Sequence, residues 1–208
     1  MKTGKLITLE GMDGAGKSTH IPAIIAQLKT KKQANGAAVE VVSTREPGGT
    51  PLGEKLRELL LHAPMHAETE SLLMFAARRE HIATVIAPAL ARGAYVLSDR
   101  FTDASYAYQC GAKGVNIAKM QLLETWVQED LQPDLTLLFD VPVEVSMQRL
   151  ALARTPDKFE RETADFFTKI RDSYLLRAAQ YPERFRVINA NQPLEAVQAL
   201  VLEIVHSI

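Results

Sequence analysis

Short apolar runs alternate along the chain with longer stretches in which apolar residues recur at three- and four-residue spacing. The short runs predict β-strands, and the longer stretches predict helices. Strands are expected at residues 5–10, 39–43, 94–98, 135–141 and 185–188, and helices at residues 17–32, 53–61, 68–92, 104–109, 117–131, 143–153, 163–179 and 194–206. This order predicts right-handed crossovers and therefore an α/β fold, in which a five-stranded parallel sheet is flanked by helices on both faces.

A glycine-rich segment lies between the first predicted strand and the first predicted helix. Residues 11–19 read Gly-Met-Asp-Gly-Ala-Gly-Lys-Ser-Thr, which fits the pattern G-x-x-x-x-G-K-[ST] of P-loop NTPases in its required strand–loop–helix setting. Glycines permit torsions that turn backbone N–H groups toward phosphate oxygens, and the helix N-terminus adds its positive dipole end. The residues predicted to bind the nucleoside triphosphate are Gly11, Met12, Asp13, Gly14, Ala15, Gly16, Lys17, Ser18 and Thr19.

Charged residues follow the second and third predicted strands, at the sheet edge where parallel sheets bind ligands. Arg45 and Arg100 stand at these strand ends, and two guanidinium groups there can hold one phosphate in bidentate geometry. The simpler alternative for Arg45 is a surface turn residue. Asp99 stands where an acidic residue orients Mg²⁺, with Ser18 as a second ligand, while Lys17 is expected to reach the β- and γ-phosphates.

A predicted helix between these two strands adds an aromatic residue and an arginine. Phe75 and Arg79 are four residues apart and share one helix face, where they can stack on a base and hydrogen-bond to its edge. Without further context Phe75 is more often a core residue, and Arg78 and Arg79 can form a solvated face. Arg79 is preferred over Arg78 on register. The guanine-reading motif Asn-Lys-x-Asp does not occur in the sequence, which argues against a GTPase.

Composition and charge restrict the remaining choices. A chain of 208 residues suits a single domain, residues 1–208, and 24 Lys and Arg against 25 Asp and Glu argue against a broadly basic nucleic-acid or membrane-surface binder. No stretch approaches the roughly 20 apolar residues of a membrane helix. The single cysteine excludes an internal disulfide framework, which favours a reducing, cytoplasmic location.

Taken together, these motifs resemble the bacterial thymidylate kinase family over essentially the whole chain. The resemblance is carried by the glycine-rich loop, by Thr-Arg-Glu-Pro-Gly-Gly-Thr at 44–50, by Met-Phe-Ala-Ala-Arg at 74–78 and by Asp-Arg-Phe at 99–101. It implies ATP-dependent phosphorylation of dTMP to dTDP in dTTP biosynthesis. It also implies dTMP and ATP as small-molecule substrates, Mg²⁺ as cofactor, a homodimer, and no nucleic-acid or membrane partner.

The resemblance assigns a role to each matching residue around the acceptor phosphate and base. Arg45 and Arg100 would bind the dTMP phosphate. Phe75 would stack on thymine, and Arg79 would contact its O4 atom.

Four further residues take their roles around the sugar and base from the same resemblance. Asp13 would approach the deoxyribose 3′-hydroxyl or the metal, and Tyr108 would pack against the sugar and disfavour ribonucleotides. Ser105 and Gln109 would complete the base pocket, although the family often has Asn or Thr at the position of Ser105.

Residues 149–162 are charged and carry a helix-breaking Thr-Pro pair, which by itself is compatible with an exposed connection between two helices. In nucleoside monophosphate kinases this position is a mobile lid, so the resemblance implies a short lid here. In the family, a phosphate loop without arginine, as here, goes with a lid that supplies one. The candidates are Arg149, Arg154 and Arg161. The family commonly has Asp-Arg-Phe-Glu where this chain has Lys158 in place of the arginine. Arg154 is therefore predicted to assist transfer with Lys158 as helper, and the predicted catalytic set is Lys17, Arg100, Arg154 and Asp13.

Two other functions are compatible with the sequence. One is a kinase that phosphorylates another nucleoside monophosphate, such as dUMP or a purine nucleotide. The other is a P-loop ATPase or nucleotide switch that acts on a protein partner, in which the arginines and Phe75 need not converge.

Overall fold

A five-stranded parallel sheet forms the centre of the molecule, as predicted. The computed structural model describes residues 4–33, 36–153, 158–159 and 162–208. The strands are β1 (Leu6–Glu10), β2 (Val41–Arg45), β3 (Tyr95–Asp99), β4 (Leu135–Asp140) and β5 (Phe185–Asn189). Their order across the sheet is β2-β3-β1-β4-β5, and each neighbouring pair is parallel. All five carboxyl ends therefore meet at one edge.

Strand β2 begins and ends two residues later than the pattern predicted. Val39, the predicted first residue, instead donates its N–H to the Lys31 carbonyl at 3.1 Å, next to a bridge between Ala38 and Lys32. The apolar start of the predicted strand therefore belongs to the turn after the first helix. Pairing with β3 then runs as far as Arg45 opposite Asp99, and the N–H of Glu46 continues the ladder by donating to the Asp99 carbonyl at 2.9 Å. Arg45 is thus the last residue of the strand and not the first of the loop.

Nine α-helices connect the strands in the described part of the chain. They are α1 (Lys17–Lys29), α2 (Pro51–His62), α3 (Ala67–His81), α4 (Ala87–Ala91), α5 (Thr102–Ser105), α6 (Ile117–Gln128), α7 (Val143–Ala153), α8 (Ala164–Gln180) and α9 (Leu194–His206). Helix α1 runs through Pro22 without ending. No helix in these described residues is long and apolar enough to cross a membrane.

Two predicted helices contain a π-helical stretch. The predicted helix 68–92 is divided by π-helix Ile82–Ile86, which leads directly into α4. Pro88 explains the change, because proline has no N–H for the carbonyl one turn earlier and its ring crowds that turn. The second stretch, Tyr106–Ala112, follows α5 and carries two of the predicted substrate-binding residues.

The core consists of two apolar layers, one on each face of the sheet. Residues Leu9 and Phe139 face a layer that also contains Ile24 from α1 and Tyr174 from α8. Leu6 lies in the opposite layer. Strands β1 and β4 are apolar on both faces because both faces are covered, as in other helix-covered parallel sheets. The central strands are therefore fixed by packing on both faces, and the loops that follow them start from fixed strand ends.

Candidate active site

The loop after β1 folds as the glycine pattern requires. Gly11 has a φ of 134°, and a Cβ there would lie 2.4 Å from the carbonyl oxygen of Phe139 on the neighbouring strand. Gly16 has a φ of 92° and caps the N-terminus of α1 without a side-chain hydrogen bond. Both positions exclude ordinary side chains, so the loop wraps tightly and the first N–H groups of α1 are left for an anion.

Lys17 lies at the first position of α1 and folds back over the loop. Its Nζ donates to the carbonyl oxygens of Gly11 and Met12 at 3.0 Å each. Burial, together with the nearby charge of Arg100, lowers the pKa of Lys17 to about 8. The ammonium is thus held close to where a phosphate would lie on the loop, in surroundings that make an added negative charge favourable.

Ser18 and Asp99 meet at the junction of α1 and β3. The Ser18 hydroxyl donates to Oδ2 of Asp99 at 3.3 Å. The other carboxylate oxygen, Oδ1, is buried and has no hydrogen-bond partner among the described residues. An unsatisfied buried carboxylate oxygen beside a hydroxyl suits a hard cation with oxygen ligands, so these residues fit Mg²⁺.

A cavity adjoins the phosphate loop on the side of α3 and α5. Asp13 and Arg100 form its boundary with the loop, and Tyr108 lines it from the π-helical stretch after α5. The remaining walls come from the loop after β2, from α2, α3 and α5, and from Phe159 of the predicted lid. The cavity therefore opens directly beside the predicted triphosphate site.

Three polar side chains are joined at the boundary between cavity and loop. Arg100 donates from Nη2 to Oδ1 of Asp13 at 2.7 Å and to the Tyr108 hydroxyl at 2.9 Å, and that hydroxyl donates to Oδ2 of Asp13 at 2.7 Å. Burial by itself raises the pKa of Asp13, but the charges of Arg100 and Lys17 outweigh it and lower the pKa to about 2. The carboxylate is therefore ionised. Asp13, Arg100 and Tyr108, which the sequence placed in one site, do lie together.

On α3 the structure brings Met74 and Arg78 to the cavity, whereas Phe75 and Arg79 point elsewhere. Phe75 is buried in the apolar layer of the sheet, as the simpler alternative held. Arg79 donates to the carbonyl of Val127 on α6 at 3.3 Å. Consecutive helix residues are about 100° apart, so a register error of one residue selects a different face. The structure therefore places Arg78 and not the preferred Arg79 at the cavity, and Met74 and Arg78 are again four residues apart, one position before the predicted pair.

Arg78 is buried, and its guanidinium group lies over the rings of Phe75 and Phe101 while its N–H groups have polar partners. It donates from Nε to Glu46 at 2.7 Å and from Nη2 to the Ser105 hydroxyl at 3.0 Å. Ser105 and Gln109, which the resemblance assigns to the base pocket, both line the cavity. Gln109 also donates to the buried Glu70 at 3.0 Å, so its amide orientation is fixed.

Arg45 is not in the cavity that Arg100 lines. Its side chain is 54% exposed and donates to Glu54 at 2.8 Å. It lies instead in an open cleft with Ser18 and Asp99, so the two predicted phosphate-binding arginines do not converge on one point. The cavity contains Arg57 from α2, which the sequence analysis missed. The signal available for Arg57 was its position one helical turn after Gly53, in a helix capped by Thr50.

The predicted lid is described only in part. Arg154 and Arg161 lie outside the described residues. Arg149, on α7, donates to the carbonyls of Gly14 and Ala190 at 3.4 and 3.3 Å and so lies against the phosphate loop. Lys158 forms an ion pair with the buried Glu70 at 2.8 Å, next to Phe159, which lines the cavity.

Comparisons with known proteins identify the family. A family model described as Thymidylate kinase matches residues 9–201. A thymidylate kinase from Methylobacillus flagellatus is 68% identical over 97% of this chain and 96% of its own length. One from Cupriavidus pinatubonensis is 62% identical over 99% of each chain. The crystal structure of thymidylate kinase from Ehrlichia chaffeensis superposes with a TM-score of 0.77 at 31% identity, covering 97% of this chain and 98% of that one.

Proposed function

The chain belongs to the thymidylate kinase family, which phosphorylates dTMP to dTDP, and we propose that the transfer takes place where the phosphate loop meets the adjoining cavity. The observation that carries the proposal is the group formed by Asp13, Arg100 and Tyr108. Asp13 belongs to the phosphate loop, while Arg100 and Tyr108 line the cavity. A donor phosphate on the loop and an acceptor phosphate at Arg100 would be adjacent.

The reaction is an in-line transfer of the ATP γ-phosphoryl group to a phosphate oxygen of dTMP. The acceptor oxygen is already anionic, so the protein needs no strong general base. What it supplies is alignment and neutralisation of the charge on the transferring group. Lys17 is placed to neutralise charge on the donor and Arg100 on the acceptor, while Asp13 keeps Arg100 in orientation.

Ser18 and Asp99 would hold Mg²⁺, in keeping with the unpartnered Oδ1 of Asp99. When bound, the ion neutralises phosphate charge and fixes the triphosphate geometry. Arg149 is assigned to the ATP side, because it touches the loop at Gly14. The catalytic role of Arg154 and the helper role of Lys158 stay predictions from the sequence.

The base of dTMP would lie between Met74 and the polar wall formed by Arg78, Ser105 and Gln109. Met74 has a flexible, polarizable side chain that can pack against a ring. Arg78 faces the cavity with a guanidinium group already fixed by hydrogen bonds, so it can read a carbonyl at the base edge without reorganising. Arg78 thus takes the role that the resemblance gave to Arg79.

The phosphate of dTMP is assigned to Arg100 and Arg57, which share the cavity. Arg45 is assigned to the cleft beside Ser18 and Asp99, where it would have to leave Glu54 before it could bind a phosphate. Tyr108 lines the cavity beside Arg100 and Asp13, and we assign it to the sugar.

A homodimer formed through α3 and α6 is the assembly that best fits the surface. Large apolar side chains are exposed together on these helices: Leu72 is 55% exposed, Leu122 is 72% exposed and Trp126 is 78% exposed. Sedimentation or light scattering, with Trp126→Glu as the variant, would test this assembly. The proposed location is the cytoplasm, in keeping with the single cysteine.

The test of the proposed function is ATP turnover measured with and without a nucleoside monophosphate. We expect Mg²⁺-dependent ADP formation that requires dTMP and yields dTDP. A panel of dTMP, dUMP and purine monophosphates separates the family activity from a kinase of other specificity. Turnover that is independent of any monophosphate would instead indicate an ATPase or switch and would refute the assignment.

A further inference from the structure

Arg100 has a second set of contacts on the side away from the cavity. Its Nη1 donates to the hydroxyl of Tyr174 at 3.0 Å, while Nη2 serves Asp13 and Tyr108 on the cavity side. Tyr174 lies on α8, is only 1% exposed and does not line the cavity. The guanidinium group is therefore contacted from two sides, by Asp13 and Tyr108 on the cavity side and by Tyr174 on the opposite side, here called the rear.

The rear contact ends on a buried carboxylate, Glu10, the last residue of β1. The Tyr174 hydroxyl donates to Oε2 of Glu10 at 2.8 Å. The other oxygen, Oε1, accepts the N–H of Phe101 at 2.8 Å. Arg100, which precedes that N–H, has a φ of 71°. Glu10 thus fixes both the unusual backbone turn at Arg100 and, through Tyr174, the side chain of the same residue.

We propose that Tyr174 is a positioning residue for acceptor binding, which together with Glu10 holds the Arg100 guanidinium so that its other edge faces the dTMP phosphate. The inference rests on the proposed function, in which Arg100 binds that phosphate. It assigns a role to a residue of α8, which follows the predicted lid in the chain and which no motif at the strand ends includes.

The chemistry of a tyrosine hydroxyl suits this position, because one oxygen can accept from arginine and donate to a carboxylate. Burial and the charge of Glu10 raise the pKa of Tyr174, so the hydroxyl keeps its proton and stays a donor. Burial, with the charge of Asp103, raises the pKa of Glu10 to about 8 despite the opposing effects of Arg100 and the Tyr174 hydroxyl. Without that hydroxyl, Nη1 of Arg100 would lose its acceptor on this side, and the hydrogen-bonded link from Arg100 to Glu10 would be broken.

The experiment uses the full-length enzyme and the substitution Tyr174→Phe, with Tyr106→Phe as the matched control. Tyr106 is also buried, donates to a carboxylate, Glu124, at 2.5 Å, and packs against an arginine, Arg177. Each variant loses one hydroxyl that is hydrogen-bonded to an acid, but only Tyr174 contacts Arg100. Steady-state kinetics would give KM for dTMP and for ATP and kcat, with thermal unfolding measured in parallel.

We expect Tyr174→Phe to raise KM for dTMP by roughly tenfold and to leave KM for ATP within about twofold, as for loss of one hydrogen bond to a charged group. Tyr106→Phe should change neither constant beyond about twofold, even where it lowers the unfolding temperature equally. Equal effects of the two variants on KM for dTMP, or an unchanged value in Tyr174→Phe, would overturn the positioning role.

A double-mutant cycle provides an independent measurement. With Arg100→Lys as the second substitution, Tyr174→Phe should have little further effect on KM for dTMP, because the group that it positions is gone. Additive effects would contradict the inference. Failure of the proposed function is distinguishable, since it would be seen as absent dTMP phosphorylation in the unsubstituted enzyme.

Discussion

Glu46 and Arg78 form a buried ion pair, in which the arginine Nε donates to a carboxylate oxygen at 2.7 Å. The second oxygen of Glu46 lies 2.9 Å from Nδ1 of His81, which also lies 2.7 Å from the Thr44 hydroxyl through its other ring nitrogen. The loop after β2 is thereby attached to α3. This attachment fixes Arg78 at the cavity wall. Whether Arg78 or Arg79 faces the substrate can therefore be tested by substitution.

Replacing each neighbouring arginine by lysine should separate the two registers of α3. Arg78→Lys keeps a positive charge near Glu46 but loses the planar fork, so we expect kcat/KM for dTMP to fall by about 10- to 100-fold. Arg79→Lys is the matched control and should stay within about threefold, because Arg79 is not among the described residues that line the cavity and donates instead to the Val127 carbonyl on α6. Steady-state kinetics with dTMP as the varied substrate measure both. A larger loss of kcat/KM in Arg79→Lys than in Arg78→Lys would instead support the predicted register, in which Arg79 contacts the base.

The stability of the protein should depend on pH through Glu46. The charge of Arg78 and the hydrogen bond with His81 overcome the effect of burial and lower the pKa of Glu46 below its usual 4.5. A carboxyl group with a depressed pKa in the folded state stabilises the fold above its unfolded pKa, and this contribution is lost as pH falls through the folded pKa. Thermal unfolding from pH 7 to pH 3 should therefore show a steeper loss for the unsubstituted chain than for Glu46→Gln.

Two variants measured in the same series of thermal unfolding experiments serve as the test and the control for Glu46. At pH 7, Glu46→Gln should be less stable by about 3 kcal/mol, since one partner of a buried ion pair has lost its charge. Glu58→Gln removes an exposed carboxylate from the neighbouring helix α2 and should leave the pH dependence unchanged. Parallel curves for Glu46→Gln and the unsubstituted chain would show that Glu46 does not titrate differently in the folded state.

The sheet, the phosphate loop and the approximate helix bounds could be predicted because local patterns determine them. A few consecutive residues are enough to recognise the apolar runs of β1 and β4 as buried strands. They are also enough to recognise Gly11 and Gly16 as positions where the backbone needs glycine. The same holds for α9, whose predicted bounds are those observed.

The sequence could not predict which residues of α3 face the cavity, because this depends on which apolar residue packs in the core. Met74 and Phe75 are both apolar, and either could face the core. In the structure Phe75 packs in the apolar layer beside Leu6. Contacts between distant residues gave no local signal either. Glu10 and Tyr174 meet only because the chain returns α8 to the sheet at β4 and β5, with β4 next to β1, and no sequence pattern near either residue indicates the other.

Lys17 should be the residue whose loss costs most in catalysis. Lys17→Met removes the ammonium that lies over the phosphate loop, and we expect kcat to fall by about 10²- to 10³-fold, as for other groups that stabilise transition-state charge. Lys29→Met, at the exposed end of the same helix, is the control and should keep near-normal kcat. Kinetics at saturating ATP and dTMP distinguish the two. Near-normal turnover in Lys17→Met would refute the proposed mechanism.

The requirement for Mg²⁺ should depend on the charge of Asp99, the carboxylate whose Oδ1 is buried without a partner among the described residues. Asp99→Asn keeps the shape and the hydrogen bond capacity toward Ser18 but removes the negative charge, so we expect the Mg²⁺ concentration for half-maximal activity to rise by about tenfold or more. Asp140→Asn is the control, because Asp140 also ends a central strand but pairs with Arg171 at 2.7 Å. Its half-maximal Mg²⁺ concentration should match that of the unsubstituted enzyme. The measurement is enzyme activity titrated with Mg²⁺ at fixed ATP and dTMP. Equal half-maximal Mg²⁺ concentrations for both variants would show that Asp99 does not hold the ion.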